Sequence, residues 1–273
     1  MGYFPSIPQL ADEYWESQLR DYDRVIGVYS PSEIAKCKRL IYLLYTGLVK
    51  TGETVEDVAG IFEAGKKFEE FIGEVLAYYL SKHKDKDLKV SNTTQRNVTQ
   101  IVDHMTFPPL QLNGKSDHLV MLRGRKDRTK SLLLEIKSIA SVNRIDAPLF
   151  DHKVQIMPYI LALRPLEARI VYGERNNFRH MKEFEVNYES EIMTWILERA
   201  KSADSYIRKG EMPPPEARIC VKCKVGLLQN SKTDTKNVMC PECKADYPKS
   251  ESDVWRMDYC PAGAYCCRNV KKE

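Results

Sequence analysis

Two carboxylates and a lysine stand in one apolar hairpin, LQLNGKSDHLVMLRGRKDRTKSLLLEIKSI, from Leu110 to Ile139. Two runs rich in Leu, Val and Ile flank a charged loop centred near Lys126, the pattern of paired strands. Antiparallel pairing about that centre sets Asp117 opposite Glu135. Side chains alternate along a strand, so Lys137 shares a face with Glu135, whereas Leu134 and Ile136 point the other way. Two converging carboxylates suit a hard cation such as magnesium or manganese, with the ammonium holding a water or a phosphate oxygen. The ordinary alternative is a solvated strand end with a weak surface ion pair. Leu119, Met121 and Leu133 share the carboxylates' face, and an apolar surface there makes unpaired charge costly.

A third carboxylate interrupts a helical stretch running from about Val55 to His83. Phe62, Gly65, Ile72, Leu76 and Tyr79 mark its inner stripe, and Glu69 shares that stripe, while Glu63, Lys66, Lys67, Glu70 and Glu74 fall largely on the other side. Glu69 therefore needs a cation, a proton or a hydrogen-bonding partner, and a structural salt bridge would serve equally. Downstream, Gln155 and Tyr159 stand four residues apart on one helical face, with Pro158 between them predicting a kink or a boundary.

Taken in chain order, Gly65-x-x-x-Glu69, Gly114-x-x-Asp117, Glu135-Ile136-Lys137 and Gln155-x-x-x-Tyr159 resemble the motif series of RecB-like PD-(D/E)XK nucleases. Cysteines near both ends narrow the resemblance to the iron–sulfur branch, most similar to the fourth CRISPR-associated exonuclease family, over Cys37 to Cys266 with a large insertion. The family usually places histidine where Glu69 stands; a carboxylate is also a competent oxygen ligand. The resemblance implies an α/β fold with a mixed central sheet flanked by helices. It also implies that Glu69, Asp117 and Glu135 bind Mg2+ or Mn2+, that Lys137 orients the attacking water, and that Gln155 and Tyr159 line the DNA side.

Eight cysteines form the second signal: Cys37, Cys220, Cys223, Cys240, Cys243, Cys260, Cys266 and Cys267. The sequence opens without a basic and apolar leader, so the expected setting is a reducing cytoplasm, where paired cysteines hold metal more often than they form disulfides. Cys220-x-x-Cys223 and Cys240-x-x-Cys243 have the spacing of a zinc ribbon, whose four thiolates supply folding energy that so short a segment lacks. Cys260-Pro261 and Cys266 resemble the end of the family's terminal cluster signature, which often begins at the place of Trp255. Met257 stands where that signature has a further cysteine, and a thioether replaces thiolate poorly. The favoured iron–sulfur set, expected to hold a 4Fe-4S cluster, is Cys37, Cys260, Cys266 and Cys267, with Cys223 as substitute if the zinc assignment fails. Cys37 also reads as ordinary burial on a helical stripe of Ile34, Cys37, Ile41 and Leu44, begun by the capping-box pattern Ser30-Pro31-Ser32-Glu33.

Composition sets the frame. The 273 residues suffice for a full core, 43% hydrophobic content is ordinary, and no apolar run approaches a membrane span. A net charge of +4 says little, but Arg123, Arg125, Lys126, Arg128 and Lys130 crowd the hairpin loop against Asp127, a solvated tip or a phosphate contact. The expected organisation is an N-terminal helical segment over 1–50, a nuclease core over 51–210, a zinc-ribbon-like insertion over 216–248 and a terminal iron–sulfur segment over 251–273. Strand Ala168 to Tyr172, helix Glu189 to Arg208 packing on the sheet, and a stiff Pro213-Pro214-Pro215 linker complete it. The functional expectation is a metal-dependent deoxyribonuclease, an exonuclease preferring single-stranded DNA ends, in CRISPR adaptation, recombination or repair. The competing classes are a non-catalytic nucleic-acid-binding protein and a structural partner handing DNA to an integrase.

Overall fold

The computed structural model describes residues 24–49, 59–82, 89–94, 97–103, 110–123, 129–216, 229–230, 237–240 and 242–248. The chain divides into two compact units, one comprising Met1–Arg20, Gly27–Ala35 and Thr54–Lys201, the other Asp21–Ile26, Lys36–Glu53 and Ser202–Glu273.

The first unit is mixed α/β. Strand β1 (Val28–Tyr29) leads into a short helix α1 (Pro31–Ile34), and the expected capping box is present: Ser30 accepts from Glu33 N–H while the Glu33 carboxylate accepts from Ser30 N–H. A long helix α3 (Ala59–Lys82) precedes β2 (Lys89–Thr94), β3 (Asn97–Asp103), β4 (Leu110–Lys115), β5 (His118–Arg123) and β6 (Thr129–Ile139). Helix α4 (Phe150–Leu163) then crosses to β7 (Glu167–Glu174), and β8 (Asn177–Glu185) returns beside it. Helix α5 (Ser190–Lys209) follows, and its residues from Ser202 onward belong to the second unit.

The five-stranded sheet has the order β2-β5-β6-β7-β8, with β6 and β7 parallel and the other pairs antiparallel. The β6-α4-β7 crossover is the βαβ connection that the apolar patterning predicts. A second sheet, β1-β4-β3, contains the first part of what reads in sequence as one hairpin arm. The arm is in fact broken at Ser116 and Asp117, and its halves belong to different sheets. Strands β2 and β3, polar and Thr- or Asn-rich, carry no apolar alternation strong enough to announce them.

Helix α3 covers one face of the large sheet. Phe68 and Ile72 pack against Val120, Leu134, Ile136 and Val171, and Phe68 is fully buried. Gly173 makes room for it, since a Cβ there would run into the Phe68 ring. The inner stripe is thus anchored by Phe68, not by Tyr79, which is 48% exposed; the last turns of α3 extend past the apolar surface. Pro158 lies inside α4 without ending it. Trp195 of α5 meets Phe150 of α4 edge-on.

In the second unit, helix α2 (Lys38–Tyr45) begins at Cys37, whose extended backbone makes it the N-cap, its Sγ accepting from Leu40 N–H at 3.4 Å. The single helix expected through Ile34 and Cys37 is therefore two helices with a turn between, and Cys37 is half-buried at the break. Buried Arg39 donates to Pro213 O at 2.7 Å, and Tyr42 donates to Gly210 O at 3.0 Å. Pro213 and Pro215 are buried, so the proline run is a packed segment and not a bare spacer. Three short strands, β9 (Gln229–Asn230), β10 (Asn237–Met239) and β11 (Asp246–Pro248), form a small antiparallel sheet.

Candidate active site at the start of β5

Residues pair across β5 and β6 from His118 with Leu134 to Arg123 with Thr129, the register centred on Lys126. Extended by one residue, it sets Asp117 across from Glu135. Because the chain turns out of β4 at Ser116, β6 loses its ladder partner there, and Ile136 N–H donates instead to Asp117 Oδ2 at 2.7 Å. The break between sheets thus fixes Asp117 against β6.

Glu135 is completely buried. Lys137 Nζ donates to its Oε1 at 2.5 Å, whereas Oε2 is buried without a hydrogen-bond partner. Burial raises the Glu135 carboxyl from 4.5 to about 8, Lys137 opposes that shift, and the charges of Asp117 and Glu69 add to it. Burial also raises Asp117, against the pull of Lys137 and of the Ile136 N–H, with Glu69 again contributing repulsion. Glu69 is half-buried on α3 and acts on both carboxylates. A Cβ on Gly65, one turn earlier in α3, would come 3.6 Å from Ser138 Oγ of β6, so this glycine lies close to the sheet.

Helix α4 covers the other face. The Tyr159 hydroxyl accepts from Lys115 N–H, and burial together with Glu135 and Asp117 raises its pKa. Gly114 admits this ring: a Cβ there would meet Tyr159 Oη at 2.5 Å and Pro31 Cδ at 2.8 Å. Gln155 is half-buried one turn before Tyr159.

Glu69, Asp117, Glu135, Lys137 and Tyr159 therefore form one electrostatic neighbourhood, with Gln155 on the helix that bears Tyr159. Among the described residues, no three His, Cys, Asp or Glu side chains stand in ready metal-binding geometry. Lys137 holds one Glu135 oxygen and Ile136 N–H holds one from Asp117, which turns both carboxylates toward protein donors. The orphaned Glu135 Oε2, buried beside Asp117 and a lysine, is nevertheless a donor suited to a hard cation.

The sequence pattern missed three polar side chains here. His118 has both ring nitrogens buried without hydrogen-bond partners, beside Gly73 of α3. His152 and Tyr172 join at 2.9 Å, and Tyr172 is the cross-strand neighbour of Lys137. The placement of His152 three residues before Gln155 was the available signal.

Of the cysteines, Cys240 is buried and Cys243 exposed in the tight connection between β10 and β11. Cys240 N–H donates to Ala245 O at 2.8 Å, and Lys244 takes a left-handed backbone at φ 56°. Cys220, Cys223, Cys260, Cys266 and Cys267, with Trp255 and Met257, lie outside the described residues, as do Arg125, Lys126 and Arg128 of the basic loop.

No protein-family model matches the chain, and comparison with curated proteins returns no match. The crystal structure of SSO0001 is similar, with a TM-score of 0.52 at 15% identity, covering 98% of this chain and 100% of that one. This shows a shared fold. An alkaline exonuclease (LHK-Exo) from Laribacter hongkongensis gives a TM-score of 0.42 at 12% identity, over 72% of this chain and 93% of that one. LHK-Exo in complex with dAMP gives 0.42 at 13%, over 73% and 93%. Among the described residues, no helix is long and apolar enough to cross a membrane.

Proposed function

We propose that the chain is a metal-dependent deoxyribonuclease with a RecB-like PD-(D/E)XK core, an exonuclease acting on single-stranded DNA ends. One observation carries the reading: fully buried Glu135, with an unsatisfied oxygen, faces Asp117 and Lys137 at the point where the chain changes sheets. Burying Glu135 beside a second carboxylate, with one of its oxygens unpartnered, is costly for the fold.

Glu69, Asp117 and Glu135 would hold Mg2+ or Mn2+. When bound, such an ion polarises the scissile phosphate and lowers the pKa of water. Lys137, 20% exposed at its side chain, has donors beyond the one given to Glu135 and offsets charge developing on the phosphate. Gln155 and Tyr159 line the DNA side, Tyr159 kept protonated as a donor by its surroundings. Cys220, Cys223, Cys240 and Cys243 would hold Zn2+; Cys37, Cys260, Cys266 and Cys267 would hold a 4Fe-4S cluster. The biological setting we assign is CRISPR adaptation, recombination or repair, with an integrase or recombination protein as partner and the cytoplasm as location. The test is cleavage of 5′- or 3′-labelled single-stranded DNA by purified protein with Mn2+, lost in Glu135→Ala.

A further inference from the structure

Helix α4 carries His152, Gln155 and Tyr159 at i, i+3 and i+7, so all three share the face turned to β6. His152 stands in the first turn. Its Nδ1 lies 2.9 Å from Tyr172 Oη, and that oxygen already accepts from Leu149 N–H at 3.0 Å. Tyr172 is fully buried and its hydroxyl hydrogen meets no other acceptor among the described residues, so donation to Nδ1 is the arrangement that satisfies it. In that arrangement Nδ1 is the acceptor and the ring proton sits on Nε2. Nε2 has no hydrogen-bond partner among the described residues.

The surroundings keep this ring neutral. Burial lowers its pKa to about 4, and the Lys137 ammonium pushes the same way. The positive end of the α4 dipole also disfavours a second cation there. The result is a rigid, uncharged donor next to the lysine proposed to meet phosphate.

We propose that His152 donates through Nε2–H to a phosphate oxygen of the DNA strand at the Glu135–Lys137 site, with Tyr172 as the positioning residue that fixes its tautomer. The ligand rests on the nuclease reading; the tautomer does not. A neutral donor orients the phosphate without competing electrostatically with Lys137, and Gln155 extends the same row of donors along α4.

The experiment combines histidine 15N spectra of the full-length protein with binding of a short single-stranded oligodeoxynucleotide in Ca2+. His152→Gln identifies the His152 signals and places its amide nitrogen where Nε2 stood. Wild type should show the Nε2–H tautomer, with that signal shifting on oligonucleotide addition. His152→Leu should weaken binding about tenfold, His152→Gln should largely preserve it, and Tyr172→Phe should mix the tautomers and add no further loss to His152→Leu. An Nδ1–H tautomer in wild type, or wild-type binding by His152→Leu, overturns the proposal. Wild type that binds the oligonucleotide as described but never cuts it with Mn2+ defeats the nuclease reading and leaves the donor standing. Cleavage and binding both unchanged in His152→Leu do the reverse, and absence of oligonucleotide binding by wild type defeats both.

Discussion

The carboxylate site of the large sheet and the cysteine-bearing hairpin of the second unit are stabilised in different ways. Asp117, Glu135 and Lys137 are set on strands that a packed core holds in register, with α3 and α4 covering the two faces. The site's geometry follows from a fold that would exist without any ligand. Around Cys240 and Cys243, the described strands have two or three residues each, and Val238 and Cys240 are the buried residues of that sheet among those described. So little apolar area cannot offset the chain entropy of ordering it. We propose that bound metal supplies the difference there, in which case mutations should separate preorganisation by packing from stabilisation by ligands.

The largest effect is expected at the sheet site. Asp117→Ala and Glu135→Ala should each lower metal-dependent cleavage by about a thousandfold or more while oligonucleotide binding persists. Full activity in either purified variant would remove these residues from the site. Glu69→Ala should be inactive and Glu69→His active with altered metal preference; an active alanine variant returns Glu69 to a structural role. Asp117→Ala also leaves Ile136 N–H unpaired, costing about 1–3 kcal/mol in denaturant unfolding.

In the second unit the expected loss is of metal. Protein purified without oxygen should be brown and carry about one zinc. Cys240→Ala should lose zinc and keep the colour, whereas Cys37→Ala or Cys260→Ala should bleach it. If Cys267→Ala stays brown and Cys223→Ala bleaches, Cys223 belongs to the cluster. A colourless protein with two zinc ions would replace the cluster with a second structural zinc site.

A smaller effect concerns packing alone. Gly173→Ala drives a methyl into the Phe68 ring and should cost about 1–3 kcal/mol, partly recovered by Phe68→Leu. Equal stability of Gly173→Ala and wild type would contradict the close approach of α3 to β7.

The subtlest effect is on pH dependence. Glu135, raised from 4.5 to about 8, keeps its proton in the folded chain where the unfolded chain has lost it. Its contribution is fully present below pH 4.5, and the metal-free fold weakens as pH rises from there to about 8. Glu135→Gln should flatten that slope in thermal unfolding, and Mn2+ should stabilise wild type most at the alkaline end. A parallel slope in the variant would assign the effect to other groups.

These effects also trace how far the sequence was readable. Alternation and loop symmetry placed Asp117 opposite Glu135 because β-pairing about a short loop is local. Helical spacing placed Tyr159, and the capping box placed the start of α1. The break at Ser116 falls in the polar run Asn113 to His118, which reads as the end of one solvated arm, and only pairing with β3 and β6 assigns the halves to different sheets. Phe68 was overlooked because its burial depends on a glycine over a hundred residues away. Likewise His152 acquires its role from Tyr172 on another strand, a contact with no local signature.

Cleavage of end-labelled single- and double-stranded DNA, with and without Mn2+, by wild type and Glu135→Ala prepared in parallel tests the central claim most directly. The account predicts Mn2+-dependent shortening from single-stranded ends by wild type and none by Glu135→Ala. Equal cleavage by both proteins, or none by fully metallated wild type that still binds the DNA, would contradict it.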